Sequence, residues 1–188
     1  MAITLRIKKR FKVLKASIIC DKEIRTILSE CMNTATRIYN KLVYRLRREY
    51  ENRKGEVDLS YKHLSAIIRT ISGSKNIYAQ SVENICKEVV RDFYSVSRKR
   101  DKDQLPGYRM KTTLSPIRYR KYGFKFFKIN DTTYLTLSLG RRRQDGIKNV
   151  TVKLDSVPDI DLNKVESIKV SYNDRTDTFE VSMRVEVK

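Results

Sequence analysis

The sequence predicts an α+β protein in which a block of three helices interrupts a small β barrel or sheet. Two observations carry that prediction. Ile, Leu, Val and Phe alternate or run together over residues 11–19, and similar short runs return after residue 115, the spacing of half-buried strands. Between them the apolar period lengthens to three and four residues, as an amphipathic helix requires. The chain has 188 residues, two fifths of them hydrophobic. That is enough to bury a core and offset the entropy of ordering the chain.

Residues 2–7 and 11–19 give two short strands or one bent one. Asp21 then suits a helix N-cap. After it Ile24, Ile27, Leu28, Cys31, Met32, Ala35, Ile38, Tyr39, Leu42, Leu46 and Tyr50 trace one face of a long helix ending near Arg53. A second helix runs from about Ser60 to Ile71, with Leu64, Ile67, Ile68 and Ile71 inward, and stops at Gly73. The third starts near Asn76. It turns Tyr78, Val82, Ile85, Val89, Phe93 and Val96 inward and closes at the charged run from Arg98 to Asp103.

After Leu105-Pro106-Gly107 strands are expected at 115–120, 124–129, 133–139, 150–154, 165–172 and 178–187, the last two as a hairpin around Asn173-Asp174-Arg175. Strands on both sides of the helices imply a discontinuous β unit whose first strand comes from the N-terminal residues.

Charge narrows the function. The chain carries 41 Lys and Arg against 22 Asp and Glu, a net charge of +19. The net is +10 over residues 1–54, +3 over 55–100, +8 over 101–148 and −2 over 149–188. A basic surface confined to part of the chain points to a polyanionic partner, nucleic acid before an anionic membrane. No apolar run approaches the ~20 residues that span a bilayer. The N-terminus lacks the features of a signal peptide, so a cytoplasmic protein without a membrane partner is expected.

Enzymatic signatures are missing from the sequence. His63 is the only histidine and is expected on a helix surface. There is no nucleophile elbow, P-loop or dinucleotide fingerprint. Cys20, Cys31 and Cys86 are odd in number and widely spaced, which fits small apolar residues better than a disulfide scaffold or zinc knuckle. Asp155, Asp159 and Asp161 surround Pro158 in turn-like spacing, expected as a solvated loop. A non-enzymatic protein without metal or other cofactor follows.

Four segments suit nucleic acid. With its apolar stripe inward, the third helix turns Gln80, Asn84, Lys87 and Arg91 outward; amides can pair with adenine edges while the cations hold phosphates. The first helix gathers Asn33, Arg37, Lys41, Tyr44 and Arg48 for phosphate tracking, although Glu30 and Glu51 share that face. In Pro106-Gly107-Tyr108-Arg109-Met110-Lys111, with Ser115, Arg118, Tyr119, Arg120, Lys121 and Tyr122 after it, basic and aromatic residues interleave. That pattern suits RNA or a single strand. Arg141, Arg142 and Arg143, in an expected loop, add a mobile contact.

These segments, in this order, resemble the N-terminal part of TnpB, also called OrfB, the transposon-encoded RNA-guided nuclease family related to type V CRISPR effectors. Arg37-Ile38-Tyr39-Asn40 resembles that family's Tyr-Asn motif in its first long helix. Val89-Val90-Arg91-Asp92-Phe93-Tyr94 is similar to its alanine-phenylalanine-x-x-phenylalanine-phenylalanine helix. Pro106 to Lys111, with Ser115 downstream, resembles its proline-x-phenylalanine-lysine-x-lysine segment. Ile168 to Tyr172 with Phe179 to Met183 is similar to the hairpin before its nuclease domain.

The resemblance implies an oligonucleotide-binding-like β-barrel, or wedge domain, from residues 1–19 and 105–188, with a helical recognition domain over 20–104. It implies a structured guide RNA and target DNA as partners, with Gln80 and Asn84 near the readers of a short motif flanking the target. The family continues into a RuvC-like nuclease with three carboxylates and a zinc site, whereas this sequence ends at Lys188, so nuclease activity is not carried over. The alternatives are a free-standing duplex-DNA-binding regulator and an accessory subunit that docks on a separate nuclease.

Overall fold

The computed structural model describes residues 10–98, 105–140, 143 and 145–187, with the side chains of residues 96–98 left aside. The expected strand at 2–7, Arg141 and Arg142 lie outside the described residues. Chain order is β1 (Arg10–Ile19), α1 (Lys22–Asn52), α2 (Tyr61–Arg69), α3 (Ala79–Arg98), β2 (Ile117–Arg120), β3 (Phe124–Ile129), β4 (Thr132–Ser138), β5 (Asn149–Asp155), β6 (Val165–Asn173) and β7 (Thr178–Val187). The fold is α+β, and each described strand predicted from periodicity forms within a few residues of its expected bounds.

Local chemistry sets the helix limits. Asp21 Oδ1 accepts the Ile24 N–H at 2.8 Å, satisfying one of the open donors at the start of α1. Ser60 Oγ does the same for His63 N–H at 3.3 Å in α2. That helix is shorter than expected, because its last turn tightens: Thr70 N–H donates to Ile67 O at 3.0 Å and Ile71 N–H to Ile68 O at 2.9 Å. α3 starts three residues later than expected, after a 3-10 turn over Ser74–Asn76.

The strands form one sheet in the order β2-β6-β7-β1-β5-β4-β3, with every neighbouring pair antiparallel. The expected barrel is instead an open sheet. Among the described residues no ladder joins its two edges, β2 and β3, although only residues 121–123 separate them in sequence. That short link forces the sheet to curl until its edges approach at one corner.

Helices rather than a seventh ladder fill the inner face. α1 and α3 pack against β2, α1 also meets β5, and the buried side chains of helices and sheet form one continuous core. Tyr119, fully buried on β2, stacks on Tyr78 with ring centroids 5.7 Å apart. Gly140 ties the exit of β4 to the helical block: a Cβ there would lie 1.9 Å from Lys75 O. Among the described residues no helix is long and apolar enough to cross a membrane.

Candidate nucleic-acid interface

The three-and-four spacing of Arg37, Lys41, Tyr44 and Arg48 places them on one exposed face of α1. Beside that face lies the segment after Pro106, fixed by a reciprocal pair of hydrogen bonds. Arg109 N–H donates to Asn40 Oδ1 and Asn40 Nδ2 to Arg109 O, both at 2.8 Å. A groove of about 630 Å³ results, lined by Arg37, Asn40, Lys41, Tyr44, Tyr108 and Lys111 among others. Two segments predicted separately thus form one basic and aromatic channel. The Lys41 Nζ and Arg48 Cζ lie 5.5 and 5.9 Å from the Tyr44 ring centroid, and Arg47 Cζ lies 5.3 Å from that of Tyr108.

Arg109 belongs to this segment but turns inward. Its guanidinium lies 3.7 Å from the Tyr39 ring centroid, pairs with Glu88 at 2.9 Å and donates to Ser115 Oγ at 2.8 Å. Tyr39 Oη in turn donates to Asp92 Oδ2 at 2.8 Å, and burial followed by that carboxylate pushes the phenol pKa well up. Arg109 is therefore a clamp that positions the channel wall, with its charge already matched. The outward cations of the channel are Arg37, Lys41 and Lys111, with Arg48 beside it against Tyr44.

The α3 face is less open than its spacing implies. Lys87 pairs with Glu83, and Arg91 pairs with Asp92 at 3.2 Å and Glu88 at 3.6 Å, so acids interleave with the cations. Gln80 has a buried Oε1 with no hydrogen-bond partner. Asn84 Nδ2 points to Arg118 O at 3.5 Å. Asn84 thus sits toward the sheet, and the Gln80 oxygen is buried, so neither amide stands on a free helix face.

Other expectations also change. Arg143, expected as a mobile contact, has a side chain only 5% exposed, paired with Glu30 and Asp145. Its Nη1 reaches Cys31 Sγ at 3.5 Å, in a pocket where burial pushes that thiol up to about 11. All three cysteines are free thiols. Tyr119 is core rather than a stacking ring. His63 is half-buried and bridges α2 to α1 through Glu49 Oε1 at 2.7 Å. Asp161 accepts the Asn163 N–H at 3.0 Å, and among the described residues no His, Cys, Asp and Glu side chains gather as a metal site would need.

The outer sheet face holds residues that sequence reasoning missed. Arg118 lies opposite Lys169, Lys169 opposite Ser182, and Ser182 opposite Lys15. In the next row Arg120 lies opposite Ser167, Ser167 opposite Arg184, and Arg184 opposite Val13. Together these residues and Asn84 line a depression of about 430 Å³. Five cations share it with two small serines. Lys15 pairs with Glu180 at 3.5 Å, and Glu180 also interacts with Lys169. Lys169 and Arg184 escaped notice because the last forty residues average to a negative charge. The signal was present in the strand alternation, which sends their cations to one face and Ile168, Val170, Met183 and Val185 to the core.

An α+β fold with a helical block between strands, carrying a basic channel and a basic sheet face, defines a class of architecture rather than a chemistry. No family model matches the sequence, and no curated protein matches it. Among solved structures the chain is similar to one in the cryo-EM structure of the Cas12f1-sgRNA-target DNA complex, with a TM-score of 0.57 and 12% identity. The similarity covers 95% of this chain and 59% of that one. At that identity it establishes a shared fold.

Proposed function

We propose that this chain is a nucleic-acid-binding module without catalytic activity, a counterpart of the wedge and recognition parts of TnpB-like, RNA-guided nucleases. The observation that carries this reading is the sheet face, where Arg118 and Lys169 oppose each other and three more cations share the depression. Like charges placed opposite across a ladder destabilise it, so a polyanion is the partner that turns this arrangement to advantage. In this proposal the outer sheet face and the α1 channel hold a structured guide RNA, and the helical block faces target DNA beside a short flanking motif. Residues 1–19 and 105–188 would act as the wedge and 20–104 as the recognition lobe. The solved Cas12f1 complex, with its guide RNA and target DNA, supports the proposal through the shared fold.

A regulator reading duplex DNA through α3 is disfavoured by the acids interleaved on that helix. Gel shifts with hairpin RNA and duplex DNA across a salt series test the proposal. Binding that weakens steeply with salt, and preference for structured RNA, are expected. Equal, weak binding to both with a shallow salt dependence would sink it.

A further inference from the structure

The turn joining the two sheet edges carries a tyrosine in an unfavourable backbone conformation. Tyr122 has φ 78° and is 90% exposed. Positive φ is costly for a bulky side chain, and an exposed ring gains nothing from burial to offset it. Among the described residues the other non-glycine positions with positive φ are Lys54, Asn130, Asp131, Ser156 and Asp177, none of them aromatic. Tyr122 has no hydrogen bond, ion pair or ring contact with another described residue.

The surrounding backbone holds this conformation firmly. Gly123 N–H donates to Arg120 O at 2.9 Å, Lys121 N–H to Glu166 O at 3.2 Å, and Ser138 N–H to Gly123 O at 2.9 Å. Gly123 is buried against Tyr78, whose Cε1 would be 2.5 Å from a Cβ at that position. The turn is thus anchored on three sides. Its exposed ring follows directly on Arg120, the end of the second row of the sheet face, and on exposed Lys121.

We infer that Tyr122 is a stacking site for an unpaired nucleobase, placed where a strand whose phosphates lie on the sheet face leaves that face. The inference rests on the nucleic-acid reading of this face. A ring that accepts any base by its π-face, next to cations that hold the backbone, is the chemistry of sequence-tolerant single-strand binding. The anchored turn, which holds this costly conformation, is what keeps the ring exposed and available.

The full chain is tested with three fluorescently labelled probes: a blunt RNA hairpin, the same hairpin with an unpaired tail carrying 2-aminopurine, and the DNA counterpart of the tailed hairpin. Tyr122→Ala is expected to bind a tailed probe about tenfold more weakly, and to leave the blunt hairpin unchanged. Tyr122→Phe is expected to bind as the parent does. The parent and Tyr122→Phe quench 2-aminopurine; Tyr122→Ala does not. Tyr122→Gly is expected to lose affinity like the alanine variant while raising the melting temperature, since glycine accepts positive φ.

Whichever tailed probe shows the effect identifies RNA or DNA as the source of the base. Unchanged affinity and quenching in Tyr122→Ala, or an equal loss in Tyr122→Phe, overturns the assignment while leaving the wider reading intact. A parent chain that binds none of the probes at low salt removes both.

Discussion

Arg118 on β2 and Lys169 on β6 are direct register partners on the outer face of the sheet. Two cations placed opposite each other repel; Ser182 and Lys15 complete the row, and the acid beside it, Glu180, attracts both Lys15 and Lys169. Lys169→Glu turns the repulsion with Arg118 into attraction but gives up the pull between Lys169 and Glu180, so the net gain should be only a few tenths of a kcal/mol. The same change removes one phosphate contact and adds a repulsive charge. RNA affinity should fall, and the slope of log K against log salt should become shallower by at least ~1. Urea unfolding and salt-dependent binding measured on one preparation check both halves. A variant that loses stability and keeps its salt slope would return Lys169 to an ordinary surface role.

Arg109 and Lys111 separate clamp from contact. Arg109 spends its guanidinium on Tyr39, Glu88 and Ser115. Arg109→Ala should therefore lower stability by ~1–3 kcal/mol, because Glu88 and Ser115 lose their charge-assisted partner. Lys111 is exposed in the α1 channel. Lys111→Ala should leave the unfolding midpoint nearly unchanged and reduce the salt slope by about one. If Arg109→Ala moved only the slope, the clamp assignment would be wrong.

These cases show what the sequence makes legible. Periodicity located the strands and helices because burial on one face of each element is a one-dimensional signal, and Asp21 and Ser60 could be read as caps from residue type alone. Closure of the sheet was not legible, since it depends on whether β2 pairs with β3, a contact that no local pattern encodes. Site residues divided the same way. The α1 face follows from helical spacing, whereas the inward turn of Arg109 depends on Glu88, far away in sequence, and that of Arg143 on distant Glu30 together with its near neighbour Asp145. Segment charge totals concealed Lys169 and Arg184, because a strand sorts its charges by face rather than by stretch.

Asp177 gives the fold an acid-sensitive tie. Its carboxylate accepts from Tyr172 Oη and pairs with Arg25 of α1, and these two interactions, in that order, hold its pKa below the ordinary value of 3.8. A depressed carboxylate contributes stability above the unfolded value and loses it as pH falls through the lower folded value. Melting temperature measured down a pH series should therefore decline below about pH 4 in the parent. Asp177→Asn should start lower at neutral pH and show a shallower acid decline. Parallel curves for the two proteins would assign the acid sensitivity elsewhere.

Gly140 and Gly107 make a paired test of how the helical block is seated. At Gly140 an added Cβ would come 1.9 Å from Lys75 O and 2.5 Å from Asn76 C, both backbone atoms with little room to yield. Gly140 N–H also donates to Asn76 O at 3.3 Å, so the contact cannot open without losing that bond. Gly140→Ala should cost at least ~2 kcal/mol and, because the displaced segment leads into α3, should weaken RNA binding as well. At Gly107 a Cβ meets nothing within 4 Å. There the same substitution reduces the freedom of the unfolded chain and should be neutral or stabilising by up to ~1 kcal/mol. Denaturant midpoints that moved equally for the two would mean that the sheet and the helical block are not locked at Gly140.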